Sequence, residues 1–433
     1  MSDIPADDLP GDAPQEQPVG RARGVLAALG PGLVTGAADD DPSGIATYSQ
    51  IGAQAGYAMG WTMTVTFPLM VAIQEVAARI GCTTGHGIAT NLRNHYPRWL
   101  LDVIVIALLV ANICNLGADI AAMGDALHLL AGGPLQAWMV AVSALSILAE
   151  VFLSYPRYAR LLKWMTLSLF AYVAAVLLAH ADWPAAAFGA VVPHLTFTAA
   201  GMTALVAVLG TTISPYLFFW QSSQEVEELE RRNHKPLCVA PARAGVELKR
   251  IRIDTLVGMF WSNVVALFII WATAATLYAH GIRNIQTSGE AARALVPFAG
   301  RFAEWVFAAG IIGTGLLALP VLAGSASYAV CEAFRWNTGL DRKPRQARAF
   351  YAVIAGAMLL GVLLAFTPID PMKALYWSAV LNGLLAAPLM AVMMLIASNP
   401  LIMGDLTLSP ALKAAGWLAT AAMAAAALGL FLT

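Results

Sequence analysis

The chain has 433 residues, of which 59% are hydrophobic and only 12% charged, with a formal net charge of -1 and a mean hydropathy of +0.68. No soluble domain of this length carries so much apolar sequence, so the chain reads as a polytopic membrane protein. The near-zero charge, with basic residues confined to the loops between apolar runs, excludes a nucleic-acid partner. Cys82, Cys114, Cys238 and Cys331 show no paired spacing, which excludes a disulfide framework or zinc site.

In chain order, residues 1–23 come first, with Asp3, Asp7, Asp8, Asp12 and Glu16 among several prolines. This is the composition of a disordered acidic cytoplasmic tail, and it lacks the positive n-region of a signal peptide. Apolar runs of about 20 residues then predict an all-α chain of eleven spans. They cover 24–56, 58–80, 100–128, 135–154, 157–180, 200–230, 254–279, 302–332, 348–366, 372–397 and 411–432. With the N-terminus inside, the inner segments hold 21 Lys and Arg residues and the outer ones only Arg283, Arg293, Arg301 and Lys373. That asymmetry predicts a cytoplasmic N-terminus and an extracytoplasmic C-terminus in the inner (plasma) membrane.

Spans 1 to 5 (24–180) and 6 to 10 (200–397) form two halves, with 411–432 as an eleventh helix. An odd number of spans per half inverts the second half relative to the first. Both leading spans are interrupted near the middle, by "ADDDPSGIA" and by "GTTISPYLF", with Pro42 and Pro215 at matching places. This is the pattern of inverted-repeat transporters with discontinuous helices at the binding site.

Each proline removes a backbone donor and stops the upstream half-helix, so freed carbonyls and the negative end of the helix dipole face inward. Such a break favours a cation, and one ionised carboxylate beside it completes a hard-cation site. Asp41 and Ser214 are also good N-caps ahead of Pro42 and Pro215. For Ser214, capping and site lining stay open. For Asp41, capping alone is a poor reason to bury a charge, since a neutral Asn or Ser would cap as well. Consecutive helical residues point in different directions, so Asp39, Asp40 and Asp41 cannot all reach one ion. At least one of them faces the aqueous approach or pairs elsewhere.

Further polar residues divide between transport and structure. Asn263 and Asn382 line the path or bond between helices, and Asp119 either lies on the pathway or pairs. Glu225, Glu227, Glu228 and Glu230 read as a solvated exit mouth, and Glu75 as a partner of Arg79 one turn on. Tyr216, Phe218, Phe219 and Trp220 read as packing. No nucleophile, base and orienter constellation appears, so an enzyme is not expected.

The sequence resembles the Nramp divalent-metal transporters. "GPGLVTGAADDDPSGI" looks like that family's first-helix signature, "QEVAARIGCTTGHGIA" its second and "GADIAAMGDAL" its third. "AGSASYAVCEAF" and "LNGLLAAPLMAVMML" are similar to its eighth and tenth helices. The resemblance covers nearly the whole chain from residue 24 and implies the LeuT-like fold: 11 transmembrane helices, a 5+5 inverted repeat, and broken helices 1 and 6.

The departures from the family pattern bear on the substrate. The family's Asp-Pro-Gly-Asn metal motif here reads Asp41, Pro42, Ser43, Gly44, so the Asn ligand has become Gly44. Its Ala-x-x-Met-Pro-His motif reads Thr211, Thr212, Ile213, Ser214, Pro215, Tyr216, so the thioether ligand is gone. A soft thioether helps a site prefer manganese, iron or cadmium over magnesium and calcium. Its loss leaves an enlarged, oxygen-lined cavity suited to a small hard ion that keeps several waters, namely magnesium. The expected metal-site residues are Asp40, Asp41, Ser43, Gly44, Thr211, Ser214 and Asn382.

The family's sixth-helix histidine positions read Tyr216 and Gln221, and Ala122 stands where the third helix is expected to carry Glu. None of the seven histidines lies mid-span. Transport without proton coupling, of Mg2+ and also Mn2+, is therefore expected. The expected partners are the divalent ion and the bilayer, with no cofactor and a monomeric chain. Competing readings are a proton-coupled manganese or iron importer, a LeuT-fold organic solute transporter, and a membrane sensor. The first suffers from the missing thioether. The acidic run at Asp39 to Asp41 would repel the carboxylate of an organic solute, and no loop or tail is long enough for a sensor domain.

Overall fold

The computed structural model describes residues 30–152 and 167–433, and among these every regular element is helical. The acidic tail and the first ten residues, 157–166, of the span expected at 157–180 lie outside the described residues. Eight helical stretches are long and apolar enough to cross a membrane. They match the second, third and sixth to eleventh expected spans. The first span is absent from that set because it is divided into α1 (Pro31–Asp39) and α2 (Pro42–Ala55). The second span is α3 (Trp61–Thr84), followed by a short surface helix α4 (Ile88–His95) and the long α5 (Arg98–Ala131). Then come α6 (Leu135–Phe152), α7 (Phe170–Leu178), α8 (Trp183–Val191), α9 (Ala199–Thr212) and α10 (Pro215–Arg231). The chain closes with α11 (Ala244–Thr273), α12 (Ala303–Phe334), α13 (Arg348–Ala365), α14 (Pro371–Ala397) and α15 (Pro410–Leu432).

Burial separates centre from periphery. In an 18-residue apolar window of the α9–α10 stretch 94% of the residues are buried inside the protein, against 33% in the corresponding windows of α13 and α15, which stand at the periphery. Between these extremes, α5 shows an inverted amphipathic pattern. Trp99, Val103, Ile106 and Val110 are exposed at helical spacing, while Leu101, Leu108, Asn112, Asn115 and Asp119 are buried behind them. In a bilayer the apolar stripe faces outward and the polar residues face the bundle, because lipid offers no hydrogen-bond partner.

The two interrupted helices are antiparallel at the centre. α1 packs against α10 and α2 against α9, which brings the two breaks side by side. α1 also lies along α11 at very close range. A Cβ placed on Gly32 would come within 2.8 Å of the Thr255 backbone nitrogen, and one on Gly36 would collide with the Gly258 backbone. The Gly32-x-x-x-Gly36 spacing, facing Gly258, is the small-residue pattern that lets membrane helices approach backbone to backbone.

Two expectations about the ends of helices are corrected. The seventh span begins ten residues earlier than hydropathy indicated, at Ala244 rather than Asp254. Its first turns carry Glu247, Lys249, Arg250 and Arg252, and Arg250 pairs with Glu247 at 2.8 Å. The acidic end of α10 is not a uniformly solvated mouth. Glu225 is fully buried and paired with Arg250, and Glu227 is buried against Tyr328 and the Leu340 amide. Only Glu230 in this group is exposed. The Glu75–Arg79 pair forms as expected, at 2.5 Å.

Candidate metal pathway at the paired helix breaks

Each break occupies one or two residues ahead of a proline. In the first, Asp40 ends α1 and Asp41 takes an extended conformation before Pro42. In the second, Ile213 ends α9 and Ser214 is extended before Pro215. The missing proline N–H and the clash of its ring with the preceding turn force both interruptions.

Asp41 is 1% exposed and serves two purposes. Its Oδ1 accepts the Gly44 amide at 2.7 Å, capping α2, and its Oδ2 accepts the Tyr216 hydroxyl at 3.1 Å. Tyr216 is thus a site residue and not only packing, a correction to the sequence reading. Its signal was its position directly after the second proline, where the first turn of α10 must face the first break.

Gly44 faces the opposite break. A Cβ there would lie 3.3 Å from the Thr211 hydroxyl oxygen and 3.4 Å from the Asp39 carbonyl. The space that a longer side chain would fill is therefore bounded by a hydroxyl, by a carbonyl freed at the end of α1 and by the Tyr48 ring, whose Cε2 would lie 3.3 Å from that Cβ. Ser214 occupies the N-cap position of α10 but makes no side-chain cap. Its hydroxyl donates back to the carbonyls of Gly210 (3.0 Å) and Thr211 (2.9 Å), so its oxygen lone pairs stay at the break.

The other expected residues are placed differently. Asp40 is diverted from Asp41: Ser262 of α11 donates to Asp39 Oδ2 at 2.6 Å and lies 3.3 Å from Asp40 Oδ1. Asp39 and Asp40 thus pair with a neighbouring helix, and both are buried. Ser43 is buried in the first turn of α2. Asn382 is 1% exposed on α14, with no hydrogen-bond partner for either amide atom. It stands beside α9 at the contact where Gly210 packs on Ala379 and Gly383. Asn263, next to Ser262 on α11, is also buried.

The two sides of the break differ in closure. Towards the basic loops, Asp254 of α11 accepts the backbone amides of Gly30 (2.9 Å), Gly32 (2.8 Å) and Leu33 (3.1 Å), pinning the start of α1. Thr35 bonds to Gln221, and the chain continues through Glu225 to Arg250. On the other side, Ala46, Gln50 and Gln54 lie one turn apart on α2 and line a cavity of about 210 Å3 with Asn284, Lys373 and Tyr376. Gln50 holds the rim, accepting the Ile285 amide at 2.9 Å and donating to Asn284 at 3.1 Å.

Comparison with known proteins identifies the architecture. The chain is 26% identical to the divalent metal cation transporter MntH of Burkholderia ambifaria over 390 residues, covering 88% of this chain and 83% of that protein. It is 27% identical to MntH of Klebsiella pneumoniae over 414 residues, covering 92% and 91%. The crystal structure of the Eremococcus coleocola manganese transporter superposes with a TM-score of 0.76 at 17% identity, covering 95% of this chain and 88% of that one. The fold is the LeuT-like fold with broken first and sixth helices. The family profile "Natural resistance-associated macrophage protein-like" matches residues 32–433, and the chain belongs to that family, Nramp.

Proposed function

We propose that the protein carries divalent metal cations across the membrane, with Mg2+ the preferred substrate and Mn2+ also accepted, without moving protons in the same cycle. The metal class rests on family membership and on relatives named as divalent metal and manganese transporters. The preference rests on one observation. Around Gly44, Thr211 and Ser214 the two breaks present hydroxyl and carbonyl oxygens beside the Asp41 carboxylate, and Ser214 stands where the family motif has its thioether.

Magnesium takes oxygen ligands and gives up water reluctantly, so an oxygen-lined site with a single direct carboxylate suits a partly hydrated ion. Softer ions lose the thioether that would set them apart. Asp41, Thr211 and Ser214, with the freed carbonyls, would hold the ion, and Asn382 offers an amide oxygen from α14. Ser43 and Asp40 border the site, Asp40 through its contact with Ser262. The ion would enter from the Gln50–Gln54 cavity and leave between α1 and α10 on the cytoplasmic side. The lack of proton coupling rests on Tyr216 and Gln221, which stand at the sixth-helix positions where histidines were expected and bond to Asp41 and Thr35 instead.

The test is uptake into proteoliposomes of Mg2+ and Mn2+, with and without a pH gradient, for wild type and Asp41→Ala. Mg2+ influx inhibited by Mn2+, reduced to background by Asp41→Ala and unaccompanied by lumenal acidification, is the expected result. Exclusion of Mg2+ together with Mn2+ entry coupled to protons would return the protein to the proton-coupled class.

A further inference from the structure

We propose that Asp119 is a second carboxylate of the transport site, acting on the ion through the ion's water shell and not as a direct ligand; this rests on the reading of a partly hydrated divalent substrate. Asp119 is on α5, is 0% exposed, and has no hydrogen-bond partner for either carboxylate oxygen. The other carboxylates at the break each have a partner for at least one oxygen, although Asp39 Oδ1 has none. Asp41 holds Gly44 and Tyr216, while Asp39 and Asp40 share Ser262.

The packing of α12 places Asp119 beside the first break. Met123, one turn beyond Asp119 on the same face of α5, and Pro42, the residue after Asp41, converge on Gly315. A Cβ on that glycine would lie 2.8 Å from Met123 Cγ and 3.2 Å from Pro42 Cγ. Helix α5 also packs directly on α2, the half-helix that Asp41 caps. Yet no hydrogen bond joins Asp119 to Asp41, Thr211 or Tyr216. The carboxylate is close enough to feel the site and separated from its direct ligands, a relationship suited to contact across coordinated water. Asn115, one turn back on the same face, also has both amide atoms unpartnered and extends this polar surface. Asn112, one turn further, has a structural tie to α12 through the Leu322 carbonyl (2.9 Å) and Ser325 (2.6 Å).

Charge balance supplies the reason for a second carboxylate. A dication needs more negative charge than Asp41 supplies within the bilayer, where burying an unpaired ion is costly, and Asp119 can share that role with Asp39 and Asp40 on the far side of the break. Magnesium's retained waters present their protons outward, and an acceptor such as Asp119 can hold them without stripping the shell.

Hexamminecobalt(III) tests this directly, because its ammonia ligands do not exchange and it can be held only through its shell. It should compete with Mg2+ uptake by wild type. Asp119→Asn should raise both its inhibition constant and the KM for Mg2+ by about tenfold or more, and Asp119→Glu should recover most of the loss. A merely structural role would lower the amount of active protein or the maximal rate and leave the inhibition constant in place. An unchanged inhibition constant in folded Asp119→Asn protein, or no inhibition of wild type, would overturn the proposal. If wild type carries Mn2+ but excludes Mg2+, the magnesium reading fails. The same competition against Mn2+ uptake then still decides the role of Asp119.

Discussion

At the residue scale, the proposed selectivity turns on what Gly44 and Ser214 leave out. Restoring bulk at Gly44 asks the Thr211 hydroxyl and the buried Tyr48 ring, each 3.3 Å from the new Cβ, to move by a few tenths of an ångström. Ser214→Met brings a soft ligand to the end of α9 and removes a hydroxyl from the break. Gly44→Asn combined with Ser214→Met should therefore raise the Mn2+ to Mg2+ uptake ratio by roughly tenfold, a difference of about 1.4 kcal/mol. Competition of the two ions in one vesicle preparation measures it, and an unchanged ratio would place selectivity elsewhere. The two helix breaks at Asp41 and Ser214 were legible from sequence because each of these residues precedes a mid-span proline, whose effect on the backbone is local. Tyr216 was read as packing because its partner Asp41 is 175 residues away. The Ser262 contact that draws Asp39 and Asp40 aside spans 223 and 222 residues and has no local signature at all.

At the element scale, the docking of α1 on α11 decides whether the site opens towards the basic loops. Three amides of the α1 N-terminus converge on one Asp254 carboxylate, and Gly32 and Gly36 let the two backbones meet. Both features hold α1 against the bundle, and releasing it would open a path between α1 and α10. Gly36→Ala adds a methyl where the Gly258 backbone already stands, an overpacking cost of about 1–3 kcal/mol. Asp254→Ala leaves three helix-terminal donors without their cap, at a cost of about 2 kcal/mol. Each substitution should lower thermal stability and raise the reactivity of a cysteine introduced at Ala38, which is buried in wild type, towards a charged thiol reagent added from the cytoplasmic face. Lower stability with no gain in reactivity would mean that α1 does not move as a gate. The sequence contained both halves of this contact, the Gly-x-x-x-Gly spacing and the aspartate. Hydropathy placed Asp254 at the start of a span, because the charged turns before it resemble a loop until their partners are known. Helix α11 continues through those turns since Arg250 meets Glu247 and Glu225, and Arg243 and Arg232 also flank Glu247.

At the scale of the whole molecule, orientation and driving force are linked. The 21 to 4 division of Lys and Arg supports a cytoplasmic N-terminus. In that orientation the side pinned by Asp254 faces the cytoplasm and the cavity at Gln50 and Gln54 faces outward. The ion then enters from the positive side of an energised membrane. If no proton travels with it, each cycle moves two charges inward, and the potential contributes about 2.3 kcal/mol per charge for every 100 mV. That is about 4.6 kcal/mol per ion, enough to sustain an inward concentration ratio of about three orders of magnitude. In vesicles with protein in this orientation, a potassium diffusion potential, negative inside, should accelerate Mg2+ uptake and raise its plateau, while reversal of the potential suppresses both. A pH gradient imposed with the potential clamped at zero should leave both unchanged. Accumulation driven by the pH gradient alone would require a proton carrier to replace the expected histidines, and would overturn the uncoupled reading while leaving the metal site at the breaks intact. The two gradients therefore separate the substrate question, set by the oxygens around Gly44 and Ser214, from the coupling question, set by the residues at Tyr216 and Gln221.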